Sequence, residues 1–245
     1  MRTQIVQALK ALVAPEDRLV VCYSSLLHLG AEASGDKWAF LYAIKRLTEG
    51  GVTVALPTFT LSFCQSGRFD QARTPSETGV LGQWALALDG ARRTDHPIYS
   101  FALIGPLAEK LAAADTATAF GGGSIFDLFE RMDTRIIMLG CGWHKCTQFH
   151  RYEETAAVPY RRFKTFTGVD ETGGGAVPVE TVMFVRDTIV GAANDFSAAA
   201  GVLRADGLIR SVALLEGRAE SVACRDLADI VDKLVRKSVL GVRFY

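Results

Sequence analysis

The sequence predicts an α/β protein, organised as a single three-layer α/β/α domain with a mixed central sheet and a β-hairpin excursion. Short apolar runs alternate with segments of helical periodicity, which is the pattern of an α/β fold. Two long β-branched or aromatic runs then flank a glycine-rich loop, which is typical of a hairpin. Of the 245 residues, 49% are apolar and 22% are charged, so the chain can bury a sizeable core. We therefore expect one domain over residues 1–245.

The N-terminal part of the chain is predicted to form helix, strand, helix and strand in that order. Apolar residues recur at helical spacing over 3–12, and 18–23 is a short apolar run that suits a buried strand. A second helix should stop at the glycine pair Gly50-Gly51, and the next strand should cover 52–56. The predicted apolar face of the second helix contains Trp38, Leu41, Ile44 and Leu47.

The middle of the chain carries a helix-start signal between predicted strands. Residues 74–77 read Thr-Pro-Ser-Glu, which matches a capping box with proline at the first helical position. A helix is therefore expected from there toward Leu88. Apolar runs predict further strands over 98–104 and 135–139.

The second half begins with the predicted hairpin. Its strands are the runs 163–166 and 177–185, and the loop between them contains the glycine-rich stretch 170–175. The elements expected after it are a helix over 195–204, strands over 211–215 and 221–224, and a helix from Asp226 whose apolar stripe contains Leu227, Ile230, Val231, Leu234 and Val235.

Charge and cysteine content exclude several classes of function. Lys plus Arg and Asp plus Glu both number 27, so the formal net charge is zero and no basic field recruits nucleic acid or anionic membrane. No apolar run reaches the roughly 18 to 20 residues of a membrane span, and no signal peptide is recognisable, so a cytoplasmic protein is expected. The five cysteines show no C-x-x-C spacing, so we expect no metal site and no disulfide framework.

The stretch 146–154 is the best candidate for chemistry. Thr147, His150 and Glu153 are three residues apart, so on a helix they fall within an arc of roughly 120°. An imidazole can take a proton near neutral pH, a carboxylate can orient it, and a hydroxyl can hold a reacting oxygen. Two alternatives stay open: a structural histidine beside a solvated helix face, and a nucleophilic Cys146 paired with His150 at i, i+4.

Two further stretches carry candidate ligand-binding groups. Ser24-Ser25 follow a predicted strand and can either cap a short helix or hold a phosphate. His96-Pro97 precedes the strand 98–104, where its polar neighbours either line a cleft or stabilise a turn. The glycine run 121–123 lacks the ending of a phosphate-binding P-loop, so it predicts a close backbone approach to a ligand or to another segment.

In order along the chain, these motifs resemble the aminoglycoside 3-N-acetyltransferase family. The resemblance implies acetyl transfer from acetyl-CoA to a primary amine, with His150 as general base, Glu153 as its partner and Thr147 near the thioester. It also implies contacts with coenzyme A from Ser24, Ser25, Leu26, His96, Ser100 and Phe101. The matching segments are Val21–Gly30, Leu56-Pro57-Thr58-Phe59-Thr60, Thr74–Gly79, Arg93–Gly105 and Thr147–Lys164.

One departure concerns the acceptor. Aminoglycoside-modifying members carry an acidic residue three positions before the motif threonine, whereas this chain has His144. The motif is closer in sequence to members found with surface-polysaccharide synthesis. The resemblance therefore implies an amino sugar, in nucleotide-linked form, bound by Tyr160, Arg161 and Lys164. The alternatives are aminoglycoside 3-N-acetylation, a non-catalytic coenzyme- or nucleotide-binding protein, and cations that only solvate the surface. Size and charge are compatible with a monomer or a homodimer.

Overall fold

The computed structural model describes residues 1–30, 36–186 and 196–239, with side chains in the last helix described as far as Leu234. The helices are α1 (Arg2–Leu12), α2 (Lys37–Glu49), α3 (Phe63–Ser66), α4 (Val80–Ala85), α5 (Ala108–Ala112), α6 (Ile125–Arg131), α7 (Phe149–Thr155), α8 (Ser197–Ala205) and α9 (Cys224–Val239). The strands are β1 (Leu19–Ser24), β2 (Thr53–Pro57), β3 (Arg68–Phe69), β4 (Arg92–Arg93), β5 (Phe101–Ile104), β6 (Arg135–Leu139), β7 (Arg161–Asp170), β8 (Val177–Arg186), β9 (Arg210–Leu214) and β10 (Gly217–Ala223). Among these helices, none is both long and apolar enough to span a bilayer.

Seven of the described strands form a mixed sheet in the order β4-β5-β2-β1-β6-β10-β9. The central strand β1 is parallel to both neighbours, with Val21 opposite Ala55 on β2 and Ile136 on β6. The outer strands are antiparallel. Because parallel strands end at the same edge, the segments that follow β1 and β6 meet there, and the Ser25 N–H donates to the Leu139 carbonyl at 2.9 Å.

Both faces of this sheet are covered, which confirms the predicted three-layer α/β/α class. Along β1, Val20 and Cys22 face the core shared with α1, α2 and α4. Val21 and Tyr23 face the core shared with α6, α7, α8 and α9, as the two-residue period of a strand requires. The second core is aromatic: the rings of Phe101 and Phe129 meet edge to face at 5.1 Å.

The predicted hairpin is present and belongs to a second, three-stranded sheet in the order β3-β7-β8. Strands β7 and β8 pair over ten residues, from Arg161↔Arg186 to Asp170↔Val177. The hairpin is fastened to the rest of the molecule at Val182, whose carbonyl accepts from the Ala119 N–H and whose N–H donates to the Ala117 carbonyl, both at 2.8 Å. These bonds bring the hairpin against the body that carries the large sheet.

The predicted capping box at 74–77 is wrong. The helix begins only at Val80, because the side chains of the box bond to residues outside the helix that the box would begin. Glu77 accepts from the Ser62 N–H at 3.0 Å and from the Ser62 hydroxyl. The Thr74 hydroxyl accepts from the Asp70 N–H at 2.8 Å. The segment is therefore a loop fixed by long-range hydrogen bonds.

Smaller differences concern α2, β5 and the later elements. Trp38 is 62% exposed, so it is outside the buried face of α2 that Leu41, Ile44 and Leu47 form. The strand predicted over 98–104 is regular only from Phe101. In the helix predicted over 195–204, residue 195 lies outside the described residues, as does the side chain of Val235 in the last helix.

A buried ion pair anchors the start of β6. The Arg135 guanidinium contacts Asp17 through Nε to Oδ2 at 2.8 Å and Nη2 to Oδ1 at 3.2 Å. Asp17 Oδ2 also accepts from the Ala14 N–H at 2.6 Å. The two side chains are only 7% and 6% exposed, so each charge depends on the other for compensation.

Candidate active site

Helix α7 carries the His-Glu pair and is held in place from outside. The chain leaves β6 through Gly140, whose φ is +69° and whose Cβ, if present, would lie 2.6 Å from the Ser25 carbonyl oxygen, so only glycine fits this turn. Arg151 on α7 then contacts Glu130 at 2.9 Å and Asp127 at 2.8 Å. These two ion pairs fix α7 against α6.

His150 and Glu153 form a hydrogen-bonded pair, as their spacing predicts. The distance from His150 Nδ1 to Glu153 Oε2 is 2.6 Å, and the side chains are 15% and 3% exposed. An ionised carboxylate only accepts hydrogen bonds, so the proton of a neutral imidazole must sit on Nδ1. This tautomer leaves the lone pair of Nε2 available to take a proton.

Two residues expected to bind substrate instead enclose Glu153. The Tyr160 hydroxyl donates to Glu153 Oε1 at 3.0 Å, and Arg161 Nε lies 2.9 Å from Oε2. Arg161 is 9% exposed and also donates to the Phe184 carbonyl at 3.0 Å. These contacts of the buried guanidinium give no support to Arg161 as a binding residue for a nucleotide-linked amino sugar. Lys164 is exposed on β7 and lies over the Phe166 ring at 4.7 Å, away from this cluster.

The electrostatics favour a neutral histidine beside an ionised glutamate. Burial lowers the pKa of His150, and the charges of Arg161 and Arg186 lower it further, although Glu153 opposes them. Burial alone would raise the pKa of Glu153, but the interactions with His150, Arg161 and Tyr160 outweigh it and lower that pKa. At neutral pH the site therefore holds an uncharged base beside a carboxylate.

Two phenylalanine rings flank the imidazole and were missed by sequence reasoning. Phe120 and Phe196 meet the His150 ring edge to face at 5.5 and 5.8 Å, and Phe196 also stacks on Phe149 at 4.0 Å. Their apolar walls account for the desolvation of the imidazole. Phe120 directly precedes the glycine run 121–123, so that run could have indicated Phe120 as a residue of the site. No sequence pattern indicated Phe196.

Thr147 lies one turn before His150, where its carbonyl accepts from the His150 N–H at 3.0 Å. The residue is half-buried, and its hydroxyl lies beside the buried hydroxyl of Tyr23. Cys146, the alternative nucleophile, is 1% exposed, and burial raises the pKa of its thiol well above the ordinary value. A thiol held neutral in this way is a poor nucleophile.

The serines of the first motif lie at the carboxyl edge of the parallel strands. Ser24 and Ser25 are half-buried, and Leu26 is buried. The Ser25 hydroxyl lies 2.8 Å from His28 Nδ1, and no side-chain bond from Ser25 caps the short turn that follows it. Ser24 lies beside Gly79. Hydroxyls and an imidazole are therefore available at this edge for an anionic ligand.

His96, Ser100 and Phe101 do not present themselves to a coenzyme. They are 3%, 0% and 0% exposed. His96 Nδ1 accepts from the N–H groups of Ile98 and Tyr99 at 3.1 and 3.0 Å, which leaves Nε2 to donate to Thr181 at 3.1 Å. The expectation that these three residues bind the coenzyme is corrected: they are structural.

Ser100 belongs to a buried polar network centred on Arg93. The Ser100 hydroxyl donates to the Thr58 carbonyl at 2.7 Å and accepts from Arg93 Nε at 3.0 Å. Arg93 also donates to the carbonyls of Gln71 and Thr58, both at 2.9 Å. Burial lowers the pKa of Arg93 to about 10, although the charge of Asp70 opposes this shift.

A groove of about 430 Å³ opens where β6 ends and β10 begins. Its charged lining residues are Arg204, Arg218, Glu216 and Glu220, with His28 at one side. Glu220 accepts from Arg204 Nη2 at 2.7 Å, Arg204 Nε at 3.1 Å and the Trp143 indole at 2.7 Å. The groove thus carries both signs of charge, and one of its carboxylates is already paired.

A buried carboxylate-imidazole pair is typical of enzymes in which the imidazole takes a proton from a bound nucleophile. The chain belongs to the aminoglycoside 3-N-acetyltransferase family, whose model matches residues 2–236. This confirms the resemblance seen in the motifs.

Curated relatives and solved structures agree with this assignment. Aminoglycoside N(3)-acetyltransferase III of a Salmonella species is 35% identical over 89 residues, which is 36% of this chain and 31% of the relative. The match thus spans about a third of the length of that relative. A solved structure described as AAC-IIIb in a binary complex with CoASH has a TM-score of 0.84 at 20% identity and covers 97% of both chains. AAC-VIa bound to sisomicin has a TM-score of 0.80 at 20% identity, over 97% of each chain. At such identities these two structures show the fold.

Proposed function

We propose that this protein transfers an acetyl group from acetyl-CoA to a primary amine of an aminoglycoside. The observation that carries the proposal is the His150-Glu153 pair, with Nδ1 held by the carboxylate at 2.6 Å and Nε2 free to take a proton. Family membership supports the reaction class, and the relative from Salmonella supports the acceptor. The expected nucleotide-linked amino sugar gains no support, because Arg161 is buried against Glu153 and the matched relatives are aminoglycoside enzymes.

The reaction requires a general base on the protein and no nucleophilic side chain, because the attacking amine belongs to the substrate. Bound acetyl-CoA supplies the acetyl group as a thioester, and an amine attacks it only as the free base. His150 Nε2 takes the amine proton as the C–N bond forms and returns it when the sulfur leaves. Such assistance is typically worth about 10² to 10⁴ in rate. Glu153 stabilises the imidazolium formed on the way, and the Thr147 hydroxyl is a candidate donor to the carbonyl oxygen.

Two regions at the carboxyl edge of the sheet suit the two substrates. For the coenzyme, the hydroxyls of Ser24 and Ser25 and the imidazole of His28 are donors that fit a pyrophosphate. For the acceptor, the groove offers the carboxylates of Glu216 and Glu220, which fit ammonium groups. A polycationic acceptor has to compete with Arg204 for Glu220, since that carboxylate is already paired.

The test is turnover of purified protein with acetyl-CoA and a panel of amines that contains aminoglycosides and amino-sugar nucleotides, with thiol release as the readout. We expect turnover with at least one aminoglycoside, and a loss of about 10²-fold or more in His150→Gln with coenzyme A binding kept. Arg162→Gln is the matched control, because Arg162 is exposed on β7 next to the site. No turnover on any amine, together with no binding of coenzyme A, would refute the proposal; turnover confined to amino-sugar nucleotides would refute the acceptor.

A further inference from the structure

We propose that Arg161 is a positioning residue that holds Glu153 ionised from outside helix α7 and thereby fixes the Nδ1–H tautomer of His150, leaving Nε2 open as the base. The inference rests on the proposed function for its role in turnover. The arrangement of protons that it describes belongs to the free protein. It is therefore testable even if the acceptor is a different amine.

The first step is a conflict at one nitrogen. His150 Nδ1 lies 2.6 Å from Glu153 Oε2 and 3.0 Å from Arg161 Nη2. Nδ1 carries either a proton or a lone pair in the ring plane, so it cannot donate to the carboxylate and accept from the guanidinium at once. Two arrangements are therefore possible in principle. In one, Nδ1–H faces Glu153 and Nε2 is bare; in the other, Nδ1 accepts from Arg161 and Nε2 carries the proton.

The surroundings of Glu153 decide between the two arrangements. In the second, the Nδ1 lone pair would face a carboxylate oxygen at 2.6 Å, which is repulsive unless Glu153 is protonated. Glu153 is stabilised as the anion by Arg161 Nε at 2.9 Å from Oε2 and by the Tyr160 hydroxyl at 3.0 Å from Oε1. An ionised Glu153 demands the first arrangement. Arg161 therefore acts on the base through the carboxylate, although it lies within reach of the ring.

Arg161 can do this because it is held independently of α7. It begins strand β7, and its Nη1 donates to the Phe184 carbonyl on β8 at 3.0 Å. The same guanidinium also places a positive charge beside the imidazole. The groups that face His150 are Glu153 on α7, Arg161 on β7 and Arg186 on β8, with the apolar rings of Phe120 and Phe196. Burial among these groups is the largest cause that lowers the pKa of His150; Glu153 opposes it, and the two guanidinium groups add to it.

The test compares Arg161→Gln, Arg161→Lys and the control Arg162→Gln, using the pH profile of kcat, the KM for acetyl-CoA and an NMR titration of the histidine rings. In Arg161→Gln we expect a fall in kcat of about tenfold or more, with KM within about twofold. The acid limb of kcat and the titration of the His150 ring should both move up by about one pH unit, because a like charge has been removed. Arg161→Lys keeps the charge and loses the fork, so its kcat should fall while its acid limb stays in place. Arg162→Gln should behave as wild type.

Several outcomes would overturn the inference. A merely structural Arg161 predicts a lower Tm and a lower kcat in Arg161→Gln, while the ring-nitrogen shifts from the NMR titration still show Nδ1 protonated and Nε2 bare in the neutral His150 ring. If Arg161→Gln does not fold, the lysine variant decides: wild-type kcat in Arg161→Lys means that the fork geometry has no role. If the wild-type protein acetylates no amine, the proposed function fails, and the ring-nitrogen shifts from the NMR titration test the tautomer on their own. Nδ1 still protonated and Nε2 still bare in Arg161→Gln then refutes the role of Arg161.

Discussion

Replacing Glu153 with glutamine is the most direct perturbation of the site, because it changes one oxygen to nitrogen without changing shape. In the native protein Oε2 lies 2.6 Å from His150 Nδ1 and 2.9 Å from Arg161 Nε. An NH₂ group at the Oε2 position would face the Arg161 Nε–H, donor against donor, so the amide places its oxygen there and still accepts from Nδ1–H. The tautomer is kept, but the negative charge that stabilises the imidazolium is lost, and the base is weakened.

The magnitude has a catalytic part and a stability part. Weakening of the base should lower kcat by about 10²-fold, the lower end of what a general base contributes. The change also leaves the buried Arg161 without its carboxylate, and breaking a buried pair costs about 3 kcal/mol at the lower end of the usual range. That end applies because Arg161 keeps its bond to the Phe184 carbonyl. For a protein of this size the loss corresponds to a fall in Tm of about 6 to 12 °C.

Thiol release and thermal unfolding, measured on the same preparation, separate the two parts. The matched control is Glu154→Gln: Glu154 neighbours Glu153 on α7, and burial already raises the pKa of its carboxyl, so neutralising it should change little. A Glu153→Gln protein with kcat within about threefold of wild type and an unchanged Tm would refute the reasoning. A lowered Tm with intact kcat per folded molecule would leave Glu153 structural only.

Two further predictions concern stability. Burial lowers the pKa of His96 to about 4. Below pH 6.5 the unfolded chain therefore binds a proton that the native protein does not. As pH falls from 6.5 toward 4, His96 lowers the free energy of unfolding progressively, by about 3 kcal/mol over that window. In His96→Asn, which keeps an acceptor for the turn, urea unfolding should show a shallower acid loss than wild type; an equal slope would contradict this. Asp17→Asn leaves Arg135 buried beside a neutral group and should cost about 3 kcal/mol and lower Tm by about 6 to 12 °C. Turnover per folded molecule should hold, because the pair lies at the start of β6, and a Tm within 2 °C of wild type would count against the buried pair.

The sequence predicted the order of helices and strands because the buried apolar residues recur with the period of each element. Strand β6 has the predicted bounds, β1 is shifted by one residue, and α1 begins one residue earlier than predicted, since their apolar positions follow from the sheet and helix periods. The capping box failed for the opposite reason. Its glutamate bonds to Ser62, fifteen residues upstream, and no local pattern records such a partner.

In the candidate site, too, contacts between residues close in sequence were predicted and contacts between distant residues were not. The i, i+3 spacing of His150 and Glu153 lies within one helix, so the sequence predicted their contact. Arg161 is only eight residues beyond Glu153, but its position depends on where the hairpin docks, and the sequence predicted it as a binding residue for an amino sugar. His96 was predicted to bind the coenzyme for the same reason. Its Nε2 bonds to the hydroxyl of Thr181 on β8, and this partner is 85 residues away in sequence.

The hairpin explains both errors. It contacts the body of the molecule through hydrogen bonds from two residues. Thr181 bonds to His96, and Val182 bonds to Ala117 and Ala119. Its first residue, Arg161, lies at the far end of the same pair of strands, opposite Arg186. Fixing the hairpin at Val182 therefore fixes the guanidinium that compensates Glu153, although neither residue lies on the large sheet. The His-Glu pair comes from the segment after β6, whereas the charge that keeps its carboxylate ionised comes from the hairpin. The ionised state of Glu153 thus depends on the docked hairpin. Of the buried polar residues 93–100, His96 bonds to the hairpin through Thr181, whereas Arg93 and Ser100 bond to Thr58 and Gln71 in the body of the molecule.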